Sequence, residues 1–505
     1  AASVRVATPI SIEPSEISSD FYEKRMDFID PWPGGWWRLR DLVDYELVLS
    51  KSMIKTAGLH KEDLLFNFYQ MYKNSIEKVD RGQPYAFVIP ALQRDYPTTL
   101  KMLEVLQIGG VEIQQAKADF VAGGRLYNAG SFVVKTAQPY KTYAWALLEK
   151  QKYPDMRQFP GGPPVPPYDN AAWTLPLQMG VACDEVEEAF EAKLEKIDKV
   201  PYPKAPAKQG QGAYVLLPAL LDKLHLTVLD LDDAAALPKA SLKSPRIGLF
   251  QSWRGNADEG WTRYVFDDMG IPFKTLHNAD IKGTKEKKAD LRADYDVIVF
   301  ADENANTIKG TRPGATPGAG GAESPMARMS RQGAVPPEYE GGIGQEGVDA
   351  LKAFVEKGGI LVALNGASDF AISEFGAPAR NSLTGVDRTK FFCPTSILRI
   401  LVDNETPIGY GMPKEAAAMF VNSLALSTFS PPFEWDRKVV ATYPEDEVLL
   451  SGWLLGEEYL TRKAAVVDTK WKDGRIILIG IRCQNRAQSH GTYKFLLNAL
   501  LYPGM

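Results

Sequence analysis

The run YDVIVFAD, Tyr295 to Asp302, is apolar through its whole centre. A strand with one wet face alternates apolar and polar residues. An unbroken apolar run instead predicts a strand buried on both faces, as in a parallel sheet covered by helices. The neighbouring segments have the same grammar. RIGLFQSW reads as a strand, DEGWTRYVFDDMG as a helix and FKTLH as a second strand. EGVDALKAFVEKGG reads as a helix with Val348, Leu351, Phe354 and Val355 on one face and Gly358 as its stop, followed by the strand GILVALNG. AAVVDTKWKDGRIILIGI predicts a hairpin turning on Asp473–Gly474, and GTYKFLLNALL a closing helix. Together these predict a three-layer α/β sandwich with a doubly wound sheet over 244–505. A Gly/Pro/Ala-rich interruption from Asn304 to Gly342 is too poor in apolar residues to pack, and is expected to be an exposed, lid-like loop.

Upstream the pattern is less regular. Residues 1–82 begin with a β-like run (Ser3 to Ile10), continue through aromatic loops containing Trp32, Trp36 and Trp37, and end in two amphipathic helices. In the first helix Leu39, Leu42, Val43, Leu47 and Leu49 recur at helical spacing; HKEDLLFNFYQMYKNSIEKV is the second. Two helices and one strand do not close a core, so this region reads as the end of a larger domain. Residues 83–200 predict a small α/β domain. PYAFVIPAL is a buried strand, and PTTLKMLEVLQIGG is a helix with Pro97 in its first turn and Gly109–Gly110 as its stop. VEIQQAKADF and GSFVVKTAQPY follow as strands, and DMRQFPGGPPVPPYD as a loop. Residues 201–243 read as a linker with a short strand and helix.

Composition narrows the function classes. A net charge of −5 over 505 residues gives no basic field, which argues against nucleic acid. The cluster Lys282, Lys285, Lys287 and Lys288 reads as a solvated helix end or loop. No run approaches the ~18 apolar residues of a membrane span. Three dispersed cysteines, Cys183, Cys393 and Cys483, suit neither a disulfide framework nor a metal site. The opening AASVRVATPI has neither an initiator Met nor the features of a signal peptide, so the chain reads as processed or as part of a longer protein.

Several long strings carry a family likeness. GGWWRLRDLVDYE, YAFVIPALQRD, DFVAGGRLYNAGSFVVKTAQPY and YDNAAWTLPLQMGV resemble, in that order, the downstream part of large bacterial zinc carboxypeptidase-like proteins, the carboxypeptidase A-like metallopeptidases. DEGWTRYVFDDMG, PPEYEGGIGQEGVDALKAFVEKGG, LLSGWLLGEE and HGTYKFLLNALL resemble their C-terminal domain, which is similar to class I glutamine amidotransferases. The resemblance implies a multidomain α/β protein: the tail of a peptidase domain over 1–82, the small domain over 83–200, the linker, and an amidotransferase-like domain over 244–505. It also implies a secreted or periplasmic bacterial hydrolase that removes C-terminal residues from peptides with a catalytic zinc. In that family a His-x-x-Glu pair, a later His and a general-base Glu precede a strand reading Glu-x-Ala-Ser-x-Arg-x-Ala. The opening AASVRVA matches the end of that strand, so the resemblance places the zinc ligands and the base before Ala1. This chain is then expected to hold no catalytic residue and no cofactor of its own. Its implied partners are the upstream peptidase domain and a peptide substrate, with Trp32, Trp36 and Trp37 packed against that domain.

His60, His225, His277 and His490 are isolated, and the one local pairing, His60 with Asp63, reads as a solvated helix face. In the amidotransferase fold a Cys nucleophile sits at the strand-to-helix elbow. Here that position holds Asn365, an amide that hydrogen-bonds but does not attack. Ser368 lies outside a Gly-x-Ser-x-Gly frame, Cys393 lies outside the elbow, and a Ser368/His490 hydrolase is the weakest of the readings. Ligands in doubly wound sheets settle at the carboxyl ends of the strands. The candidate binding residues are therefore Gln251, Trp253, Arg254, Asp302, Asn365, Gln484 and His490, with Asn304 and Arg486 beside them. Two roles stand: the non-catalytic C-terminal part of a zinc carboxypeptidase-like protein, or a free-standing peptide- or glycan-binding module.

Overall fold

The computed structural model describes residues 10–12, 24, 26, 35–77, 83–202, 244–253, 255–283, 289–310, 339, 341–430 and 435–502. The expected linker elements between 203 and 243, Lys285, Lys287 and Lys288, Arg254 and His225 lie outside these. Two compact units divide the chain, one of 1–74 with 314–336, the other of 75–313 with 337–505.

In the first unit β1 (Ile10–Ile12) pairs antiparallel with β2 (Gly35–Trp37), and α1 (Leu39–Leu59) and α2 (Lys61–Glu77) follow along the chain. Most of the β-like run expected from Ser3 falls outside the described residues. The helical period is realised, but no residue of α1 or α2 is buried. Leu42, Val43, Leu47, Leu64, Leu65 and Phe68 all stand exposed. Trp36 is exposed too; Trp32 and the Trp37 side chain lie outside the described residues.

The second unit opens with the small α/β domain. β3 (Ala86–Ile89) is buried at all four positions, and α3 (Tyr96–Ile108) packs Leu100, Met102, Leu103 and Leu106 inward. Each such side chain contributes about 1.5–3 kcal/mol by leaving water. Asp95 caps α3 by accepting from the Thr98 N–H at 3.0 Å, with Pro97 in the first turn where no donor is missed. VEIQQAKADF does not form one strand but two, β4 (Gln114–Ala116) and β5 (Phe120–Ala122). Gly123 and Gly124, both at positive φ, turn β5 tightly onto β6 (Arg125–Tyr127) and draw it into a separate ribbon. β7 (Phe132–Lys135), α4 (Lys141–Leu148), α5 (Leu175–Met179), β8 (Asp184–Val186) and β9 (Leu194–Lys196) complete the domain. Its sheet runs β8-β3-β7-β4-β9, antiparallel throughout.

The C-terminal domain is built on a parallel sheet. β10 (Ile247–Phe250), α6 (Ala257–Met269), β11 (Lys274–Leu276), α7 (Asn278–Lys282), α8 (Leu291–Asp294) and β12 (Val297–Phe300) lead into α9 (Ala305–Lys309). α9 corrects the expectation of an open loop from Asn304: the Asn304 side chain accepts from the Asn306 N–H at 2.8 Å and starts a helical turn. Residues 311–338 and 340 of the expected lid lie outside the described residues. α10 (Gly344–Glu356), β13 (Ile360–Leu364) and α11 (Ala367–Phe375) continue the alternation. Six strands follow that carried no clean period: β14 (Ala379–Asn381), β15 (Ser396–Val402), β16 (Glu415–Phe420), β17 (Leu426–Thr428), β18 (Trp435–Thr442) and β19 (Leu449–Ser451). β20 (Ala464–Trp471), β21 (Gly474–Ile479) and α12 (Tyr493–Leu501) end it.

The main path of the sheet is β11-β10-β12-β13-β21, all parallel, then β20-β18-β15-β16, antiparallel. Numbered along the chain, the parallel half has the order 2-1-3-4-5 of a flavodoxin-like doubly wound sheet. Alternate residues of these strands enter two separate cores. Ile247, Leu249, Val297, Val299, Ile360 and Val362 point to one face, and Phe250, Ile298, Phe300, Leu361 and Ala363 to the other. That two-sided burial is what the apolar runs predict.

The β20–β21 turn differs by one residue from expectation. Trp471 pairs with Gly474, so the loop is Lys472–Asp473 and Lys472 takes φ +54°. Gly474 is a glycine because of packing: a Cβ there would lie 2.1 Å from the Val355 carbonyl oxygen. The two domains of this unit are joined through Ser451. Its Oγ accepts from the Gln151 N–H at 2.8 Å and meets Thr174 Oγ1 at 2.8 Å, while Tyr153 stacks on Trp453 with ring centroids 5.7 Å apart.

Candidate functional site

In a 2-1-3-4-5 sheet the chain leaves the first and third strands in opposite directions, which opens a crevice at their carboxyl ends. A cavity of about 620 Å³ lies there in the C-terminal domain. Its walls come from the loop after β10 and the start of α6 (Asn256, Asp258), from the segment after β12 (Asp302, Glu303, Asn306), and from Gly366, Asp369 and Arg482.

Local hydrogen bonding fixes each wall. Asn256 caps α6, its Oδ1 accepting from the Asp258 and Glu259 N–H groups at 2.9 and 3.3 Å. Its Nδ2 crosses to the end of β12, donating to the Asp302 carbonyl at 2.8 Å and to Glu303 Oε2 at 3.3 Å. Ser252 Oγ donates to the same Glu303 oxygen at 2.6 Å. Asp302 Oδ1 accepts from the Gly366 N–H at 2.8 Å and so anchors the start of α11. A Cβ on residue 366 would lie 2.6 Å from that oxygen, which explains the glycine.

Arg482 lies at the centre. It donates from Nη1 to Asp258 Oδ2 at 2.6 Å, from Nη2 to Asp302 Oδ2 at 2.6 Å, and from Nε to the Val421 carbonyl at 3.1 Å. Its side chain is 15% exposed and that of Asp258 6%, so the pairs sit largely out of water. Burial pushes the Asp258 carboxyl up to about 6 despite the opposing guanidinium, with Asp302 adding to the rise. Burial also raises Asp369, opposed by an Asn381 hydrogen bond.

The sequence-predicted residues do not gather in one place. Asp302 and Asn304 line the cavity. Gln251 accepts from the Tyr339 hydroxyl at 3.2 Å, and Trp253 lies 5.1 Å from the Tyr339 ring, in an aromatic group that includes His277. Gln484 is buried and donates to Thr262 Oγ1 at 3.0 Å, pinning α6 to the chain beyond β21. His490 stacks on Tyr493 and pairs through Nδ1 with the Gln488 carbonyl at 2.8 Å; burial lowers its pKa. Arg486 makes an ion pair at 2.7 Å with Asp169 of the small domain. Arg254 lies outside the described residues. Asn256, Asp258, Glu303, Asp369 and Arg482 were missed, though Asp258 and Arg482 stand just beyond strands that were read correctly.

Asn365 occupies the elbow and keeps its strained backbone, with φ +46° in a non-glycine residue. Its side chain turns away from the cavity. It is 1% exposed, and Nδ2 donates to the Asn422 carbonyl at 3.3 Å. Ser368 is fully buried, its hydroxyl donating to the Ala363 carbonyl at 3.0 Å. Burial pushes the Cys393 and Cys483 thiols up to about 12, opposite to what an attacking thiolate needs.

Among the described residues no three His, Cys, Asp or Glu side chains are grouped so as to hold a metal ion. His60 and Asp63 are 3.8 Å apart with both side chains largely exposed. The zinc implied by the resemblance therefore has no fitting donor set in the described part of this chain. No described helix is long and apolar enough to cross a membrane.

Comparison with known proteins gives no family. No family model matches the chain, and no curated protein matches it. Among solved structures, a cytoplasmic protein of Salmonella typhimurium is 13% identical at a TM-score of 0.31, covering 51% of this chain and 98% of its own. A glutamine amidotransferase from Thermotoga maritima is 9% identical at a TM-score of 0.29, covering 52% and 98%. A ThuA-like protein from Bacteroides uniformis is 13% identical at 0.27, covering 52% and 93%. Likenesses at these scores carry no assignment of activity.

Proposed function

We propose that this chain is the non-catalytic C-terminal part of a zinc carboxypeptidase-like metallopeptidase, and that its amidotransferase-like domain binds a ligand without transforming it. The observation that carries the second half is Asn365: the elbow keeps its strained turn, but the residue on it is a buried amide facing carbonyls. An acid-lined cavity stands open beside it. Support for the first half is the ordered set of motifs from GGWWRLRDLVDYE to HGTYKFLLNALL. The exposed apolar faces of α1 and α2 also call for a covering surface, which an upstream peptidase domain would supply. On this reading the natural setting is the periplasm or the extracellular space, and the substrate is a peptide cut at its C-terminus by the upstream domain.

Zinc content separates this reading from an independent metalloenzyme. Purified chain equilibrated with zinc and then desalted should carry well under one equivalent by elemental analysis, and should release no C-terminal residue from a test peptide. One tightly held equivalent would overturn the proposal, because it would place a metal centre within this chain.

A further inference from the structure

The cavity at the switch point has a charge balance that selects its occupant. Among the described residues, four carboxyl groups, Asp258, Asp302, Glu303 and Asp369, face it with one guanidinium, Arg482. That guanidinium is already committed to Asp258, Asp302 and the Val421 carbonyl. Both Asp302 oxygens are engaged, by Arg482 and by the Gly366 N–H. Unmatched acceptor capacity remains. Asp258 is 4% exposed, and among the described residues its Oδ1 has no hydrogen-bond partner. Asp369 is half-buried and, among the described residues, its side chain holds only a long contact, 3.5 Å, from Asn381 Nδ2. A buried carboxylate oxygen without a donor costs about 1–3 kcal/mol or more, which a ligand donor would recover.

We infer that this cavity receives a primary ammonium group carried by a small polar molecule, such as the free amino end of a peptide. Three alternatives fit less well. An anion is opposed by the carboxylates, even though the starts of α6 and α11 point inward. A divalent metal needs several oxygens at roughly 2.3–2.6 Å at once, and no three such side chains are so grouped among the described residues. A neutral polyol leaves the excess negative charge uncompensated. An ammonium has three donors, forms charge-assisted bonds and spans separated carboxylates. A volume of about 620 Å³ suits a small molecule or a chain end. The inference rests on the reading above that this domain binds rather than catalyses.

The test uses the intact 505-residue chain and calorimetric titration with glycinamide, N-acetylglycinamide and calcium chloride in turn. The expected result is saturable, millimolar binding of glycinamide, with the acetylated form at least about tenfold weaker because it lacks the charge. Asp369→Asn should weaken glycinamide by about tenfold, and Glu303→Gln by less, with both variants keeping the wild-type unfolding midpoint. Equal binding of the two amides, tighter one-to-one binding of calcium, or no glycinamide binding at millimolar concentration would each overturn the inference. The underlying reading fails by a different result. Peptide turnover would sink it, whereas neither turnover nor glycinamide binding would sink the ammonium site alone.

Discussion

Arg482→Met should destabilise the C-terminal domain by about 3–5 kcal/mol at neutral pH, the cost of leaving buried carboxylates without their cation. Arg482 lies just past β21, yet it reaches Asp258 at the start of α6, Asp302 after β12 and the carbonyl of Val421 after β16. It therefore ties the start of α6 to the chain beyond three strands of the sheet. Met fills much of the same volume, so the loss reports the charge and hydrogen bonds rather than a cavity. Asp258 and Asp302 would then face each other with no intervening positive charge, which raises the Asp258 carboxyl further. Urea unfolding followed by tryptophan fluorescence should show a lower midpoint at unchanged slope. A shift worth less than about 1 kcal/mol would place the pairs in the class of solvent-screened surface bridges.

The second large effect is a dependence on pH. Asp258 has an ordinary value of 3.8 and is pushed up to about 6 in the folded protein, by burial first, with Arg482 opposing and Asp302 adding. Between those values the native state holds a proton that the unfolded state has lost. Stability from this group is thus present below pH 3.8 and is lost as pH rises through about 6. The two-unit interval corresponds to about 3 kcal/mol. Asp258→Asn has no proton to exchange. Its stability relative to the parent should improve by roughly that amount between pH 4 and pH 7, whatever constant offset the lost ion pair imposes. Unfolding curves at several pH values measure the difference. A flat difference, or one of opposite sign, would mean that the carboxyl is ionised throughout and its burial is offset by Arg482.

What the sequence made legible follows from how locally each feature is encoded. β10, β12 and β13 are apolar on both faces, and residues 247–250, 297–300 and 360–364 declare this without reference to anything distant. The short strands between 379 and 451 are held by cross-strand partners far along the chain, so no local period marks them. The turn at 472–473 was misread for a similar reason. Gly474 looks like a turn glycine but is required by the approach of Val355 from another element. The site divides in the same way. The elbow was placed correctly at Asn365, because a strand followed by Asn-Gly is a local signal. The cavity was not assembled, because Asp258, Asp369 and Arg482 converge through sheet order, which only the topology supplies. Gln484 and His490 sit at the carboxyl end of a strand as expected, yet their side chains are spent on packing within the protein.

The most direct measurement is labelling of the native chain with a fluorophosphonate and a thiol alkylating agent, followed by peptide mapping. Ser368 is fully buried with its hydroxyl held by the Ala363 carbonyl, and Cys483 is fully buried, so neither presents a nucleophile at the elbow. The expected result is no adduct at Ser368, Cys393 or Cys483 in the folded protein, with all three cysteines reacting once it is unfolded. A stoichiometric fluorophosphonate adduct on Ser368, with peptide or ester hydrolysis abolished by Ser368→Ala, would show a working hydrolase and contradict a domain that only binds.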